Sequence, residues 1–190
     1  MPEKPSYLGL LNTISLLESR AHAYLTAWAD VTPEPAVRQV LLTVAAREGE
    51  HGMSFAKRIN ELGFEVRAQE DPDFESKMDI ARSSRTDLEK IEALGLLRFC
   101  TDGPDVFDGF FKDHSIDIRT GELLGRYIAE ERDSLRLLQG CQAQLRARPT
   151  TAEPSADRLT GLEEKLDSVA RAVEELRQIV CAQTMASGTS

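Results

Sequence analysis

The sequence predicts an all-α protein: a four-helix bundle with one long crossover, followed by a C-terminal heptad helix. Three observations carry this. Apolar residues recur three and four positions apart over long segments, the period of an α-helix with one buried face. Alanine, leucine, glutamate and arginine dominate, while aromatic residues make up only 6% of the 190, a composition that favours helix over sheet. Proline-bearing breaks separate the periodic segments.

A first helix is expected over residues 6–30, with Leu10, Ile14, Leu17, Ala21, Leu25 and Trp28 on one face. Val31-Thr32-Pro33-Glu34-Pro35 breaks it, and Pro35 suits the first turn of the next helix, where its missing N–H costs nothing. That second helix is expected to run to Leu62 and stop at Gly63, with Val37, Leu41, Val44, Phe55, Ile59 and Leu62 in its stripe. Residues 64–83 are charged and weakly periodic, a crossover with one short helix near 74–82. Capping residues cluster at 83–87, ahead of a third helix carrying Leu88, Ile91, Gly95 and Phe99. Gly103-Pro104 interrupts it, and 107–121 is aromatic and acidic without a clear period. A fourth helix is expected over 119–146, with Leu124, Ile128, Leu135, Leu138 and Leu145 on one face. Short echoes between the halves (Ile91-Glu92-Ala93 with Leu17-Glu18-Ser19, Ile128-Ala129-Glu130-Glu131 with Ala45-Ala46-Arg47-Glu48) suggest one duplicated helical hairpin.

The bundle domain is therefore residues 1–146. Residues 147–157 read as a flexible linker rich in proline, threonine and alanine. In 158–183, Leu159, Leu162, Leu166, Val169, Val173, Leu176 and Val180 alternate steps of three and four, a heptad seam; 184–190 form a tail. Such a short coiled coil is marginal alone, so homo-oligomerisation or docking to a helical protein partner is expected of it.

Acidic residues outnumber basic ones by 32 to 23, a net charge of -9, which disfavours nucleic acid and anionic membrane surfaces as partners and suits cation uptake. No apolar run is long enough to span a bilayer. Three scattered cysteines and a start without a basic-then-apolar leader point to reduced thiols in a cytoplasmic protein. The absence of C-x-x-C pairs excludes a rubredoxin-type iron centre or a zinc ribbon.

The decisive feature is what interrupts the apolar stripes. On the second helix the steps 37, 41, 44, 48, 51, 55, 59 and 62 follow one face, and two of those positions are Glu48 and His51. On the fourth helix the face 124, 128, 131, 135, 138 includes Glu131. Glu18 sits four after Ile14 and three before Ala21, and Glu92 sits four after Leu88 and three before Gly95. Each helix thus aims a carboxylate at the expected core. Unpaired carboxylates there cost many kcal/mol and would repel one another, whereas a shared hard cation removes both objections. Carboxylates with one imidazole suit iron or manganese better than structural zinc.

In the order Glu, Glu-x-x-His, Glu, Glu-x-x-X along four helices, residues 6–146 resemble the ferritin-like superfamily, and within it the rubrerythrin-like and bacterioferritin-like di-iron carboxylate proteins. The resemblance implies Glu18 and Glu92 as metal ligands from the first and third helices. It implies Glu48 and His51 as the first Glu-x-x-His pair, and Glu131 as the opening of the second. The family's second histidine falls on Ser134, a poor iron ligand, so that motif is degenerate here and one metal position lacks its imidazole. The implied cofactor is iron, two per chain, or manganese. The implied activity is a di-iron oxidoreductase reacting with dioxygen or peroxide, or oxidation of iron itself. The rival is a metal-free ferritin-like bundle serving as an interaction scaffold through its C-terminal helix. Weaker candidates are His22 one turn beyond Glu18, Tyr24 and Tyr127 near the ligand turns, and Asp113, His114 and Asp117 as an entrance.

Overall fold

The structure is a computed structural model that describes residues 3–97, 107 and 109–147, and every regular element among them is helical. In chain order these are α1 (Leu8–Val31), α2 (Pro35–Glu61), α3 (Phe74–Arg82), α4 (Asp87–Ala93), a single 3-10 turn (Phe110–Lys112) and α5 (Ile118–Ala147). Among the described residues no helix is long and apolar enough to cross a membrane. Ala147 closes α5; the remainder of the expected linker, the heptad helix at 158–183 and the tail lie outside the described residues.

The breaks follow local chemistry. Pro35 begins α2, as its fixed φ allows. Gly63 ends that helix at φ 84, with Gly63 N–H on the Asn60 carbonyl and Phe64 N–H on the Ile59 carbonyl, the Schellman pattern that only an achiral residue enters without strain. Asp117 caps α5: its carboxylate accepts from Thr120 N–H and Thr120 Oγ1, and also from Tyr7 Oη (2.7 Å) and Arg58 Nη2 (2.8 Å). One side chain thereby joins the start of α1, the end of α2 and the start of α5. Although burial works against its charge, these donors hold its carboxyl far below the usual range. The Asn12 amide clamps the crossover onto α1, donating to the Arg67 carbonyl (3.0 Å) and accepting from Arg67 N–H (2.7 Å).

α1, α2 and α5 bury two apolar layers. Leu25, Trp28, Leu41, Val44 and Leu138 fill one. Leu11, Ile14, Phe55, Ile59, Leu124 and Ile128 fill the other. Each fully buried large apolar side chain contributes about 1.5–3 kcal/mol. Counting along the chains, the layers place α1 antiparallel to α2 and parallel to α5, with residues 18, 48–51 and 131–134 between them.

The third helix differs from the expectation. α4 covers only Asp87–Ala93 and stops ahead of Gly95; Phe99 lies outside the described residues. Gly95 stands at φ 63, with Gly95 N–H on the Glu92 carbonyl and Leu96 N–H on the Ile91 carbonyl, the same terminator as Gly63. Its start is firm: Thr86 and Glu89 form a capping box. Asp87 is buried and accepts from Trp28 Nε1 (2.7 Å) and Thr32 Oγ1 (2.7 Å), while Lys90 donates to the Ala81 carbonyl (3.0 Å). The buried face of α4 is thus Asp87, Lys90, Ile91 and Leu94, and it packs at the Trp28 end.

Candidate metal centre

Between the two apolar layers, one ligand atom each from Glu18, Glu48, His51 and Glu131 lie within 4.8 Å of one another. Glu18 and Glu48 are 6% exposed and His51 3%. The backbone geometry that brings them together is local. Gly49 and Gly52 flank His51, and a Cβ at Gly52 would stand 2.5 Å from Ser19 Oγ and 3.2 Å from the Ser15 carbonyl oxygen. Glycine therefore lets α2 approach α1 at the acid layer. Ser15 Oγ donates to the Gly52 carbonyl (2.9 Å) and fixes the approach.

Glu18 and Glu48 each bring a carboxylate oxygen within 4.8 Å of the other. Burial raises both carboxyls, and their mutual repulsion and the charge of Glu131 push Glu48 further up. Tyr127 Oη donates to Glu18 Oε1 (2.7 Å). Burial and the surrounding carboxylates keep the Tyr127 phenol neutral, well above its ordinary value, and Tyr24 is raised for the same reasons. Tyr127 also packs edge-on against His51, with centroids 5.0 Å apart, and against Phe55 at 5.3 Å.

His51 donates from Nε2 to Glu130 Oε2 at 2.7 Å. Because a carboxylate only accepts, this bond fixes the proton of the neutral ring on Nε2 and leaves Nδ1 as the free donor atom. Nδ1 faces Glu131 Oε1 at 3.3 Å, and neither atom has a hydrogen-bond partner although both are buried. Burial opposes charge on His51, but the Glu131 and Glu130 carboxylates outweigh it and raise its pKa; a protonated ring pairs Nδ1–H with Glu131, and a metal would displace that proton. Glu130 is itself held by Arg126 Nε (3.0 Å), whose guanidinium also pairs with Glu50. Those bonds bring the Glu130 carboxyl below its usual value against the effect of burial.

Two buried, unsatisfied atoms facing each other inside a ring of carboxylates are the arrangement a cation completes. The residues present fit one: three carboxylates and an imidazole with its second nitrogen already committed. Glu92 is not brought to this group. Its side chain is 58% exposed and pairs with Arg146 at 3.1 Å, because it lies off the buried Asp87–Lys90–Ile91–Leu94 face. Ser134 is buried, and its hydroxyl accepts from Arg47 Nη1 (3.3 Å), so a guanidinium stands beside the position where a second histidine was expected.

The weaker candidates land elsewhere. His22 donates from Nδ1 to the Ala45 carbonyl (2.7 Å), bracing α1 against α2. Asp113 bonds Ser6 and Ser115, Asp117 is a helix cap, and His114 is exposed. Sequence reasoning missed Glu130. Its signal was there in the Glu130-Glu131 pair: with Glu131 on the stripe, its neighbour falls at the stripe's edge, against α2. No family model, no curated protein and no solved structure matches this chain.

Proposed function

We propose that this chain is a ferritin-like metal-carboxylate protein that holds iron or manganese between α1, α2 and α5 for reaction with dioxygen or peroxide, or for oxidation of iron. The observation that carries this reading is the buried pair His51 Nδ1 and Glu131 Oε1, 3.3 Å apart without hydrogen-bond partners and bordered by Glu18 and Glu48. When bound, such a metal supplies one-electron chemistry toward dioxygen or peroxide. The chain's own part is to bind, orient and manage protons. His51 and Glu131 offer the two unsatisfied atoms. Glu18 and Glu48 offer two more carboxylates once the proton that burial favours on Glu48 leaves. Tyr127 orients Glu18, and Glu130 keeps His51 in the Nε2–H tautomer. The apolar layers above and below confine the approach of water to the side on which the acids open to a cavity.

Charge and neighbours support one firmly held ion. Three carboxylates balance one divalent ion to within a single negative charge. The Ser134 side offers Arg47 instead of a ligand. Protein prepared without chelator and titrated anaerobically with Fe(II) or Mn(II) is expected to take up about one ion per chain, as one such ligand set allows. Glu131→Ala is expected to lose that uptake while keeping its helical content. No uptake by the parent chain, or full uptake by the variant, overturns the proposal.

A further inference from the structure

The acid layer opens on one side to a cavity of 390 Å³, within the range of small-molecule sites, about 300–1,000 Å³. Glu18, Glu48, Glu131 and Tyr127 form one wall. Leu94 and Leu96, just beyond the end of α4, line the cavity as well, together with Phe107 and Phe110. Leu17, Ala21, Leu135 and Leu138 extend the apolar surface along α1 and α5.

Resting on the metal reading above, we infer that this chamber binds a small, uncharged, largely apolar organic molecule beside the metal site. Charge decides the class. The cations along the cavity, among the described residues, are Arg20 and Lys77, and both are engaged by Asp71, at 3.7 and 3.5 Å. Arg20 also donates to the Gln69 carbonyl. An organic anion would have to displace Asp71 and approach three carboxylates. A hydrated cation is drawn to the carboxylates themselves; in the chamber beyond them it would shed water against leucine and phenylalanine, which return no hydrogen bonds. An uncharged apolar molecule meets neither cost and gains from every apolar atom it covers.

The test uses two fluorescent probes of matched shape: uncharged N-phenyl-1-naphthylamine and its sulfonated relative 8-anilino-1-naphthalenesulfonate. The full chain is expected to bind the first saturably, with a fluorescence rise, and the second far more weakly. Ala21→Phe and Leu135→Trp, which fill the chamber without touching the acids, are expected to abolish that rise; two variants guard against one failing to fold. No binding of the uncharged probe, equal or tighter binding of the sulfonate, or undiminished binding in both folded variants overturns the inference. Iron and manganese content is read on the same samples. Probe binding by a chain that retains no metal removes the metal reading and leaves the chamber standing.

Discussion

Glu48 is where the cost of the acid layer is most legible. Buried against Glu18 and facing the charge of Glu131, its carboxyl is pushed up to about 11 in the folded chain from an ordinary 4.5. A raised folded value means that the folded chain holds a proton the unfolded chain has released. The stability from that proton is fully present below 4.5 and is lost as pH climbs toward the folded value. His51, also raised, acts in the same direction above its ordinary value. Asp117, depressed, loses its contribution only in strong acid and leaves the neutral window alone. Metal-free protein is therefore expected to weaken between about pH 5 and pH 8, by at most roughly 1.4 kcal/mol per pH unit for each proton. Glu48→Gln should flatten that slope, as read from urea midpoints. A flat profile in the parent chain contradicts the buried-acid account.

The helices meet at the acid layer only because α2 lacks side chains where α1 presses on it. At Gly52 a Cβ would crowd Ser19 Oγ at 2.5 Å, Ser19 N at 3.1 Å and the Ser15 carbonyl oxygen at 3.2 Å. The hydroxyl can rotate, but the two backbone atoms cannot yield without parting the helices. Gly52→Ala is thus expected to destabilise the fold by about 1–3 kcal/mol of overpacking, more than the ~1 kcal/mol alanine gains in helix propensity. A denaturation midpoint equal to or above the parent's would remove the close approach. The same scale explains where sequence reading stopped. α1, α2 and α5 were readable because each carries a long 3.6-residue stripe, whereas α3 showed only as a short stretch in a weakly periodic crossover. By periodicity Gly95 is a small residue inside a stripe, although Leu94-Gly95-Leu96 repeats the Leu62-Gly63-Phe64 that ends α2. Periodicity cannot tell a C-cap glycine from an interior one; the apolar residue just past it is the better signal, since Leu96 and Phe64 both fold back onto the core.

Across the folded unit, three long helices stack an acid layer between two hydrocarbon layers. The convergence of Glu18, Glu48, His51 and Glu131 was legible because each sits in phase with apolar neighbours on a long helix. Glu130 and Tyr127 were not legible as partners. Their roles depend on which helix faces which, and phase along one helix carries no such information. Glu92 had the right phase against the wrong neighbours: the buried Asp87–Trp28 hydrogen bond sets the roll of α4 and leaves Glu92 outward. The central claim is that the acid layer is built around a cation. Its most direct measurement is a crystal of the full chain soaked in Fe(II) or Mn(II) and recorded on either side of the metal's absorption edge. The account predicts an anomalous peak between His51 Nδ1 and Glu131 Oε1, in reach of Glu18 and Glu48. Peaks confined to surface carboxylates, with none among these four side chains, would contradict it.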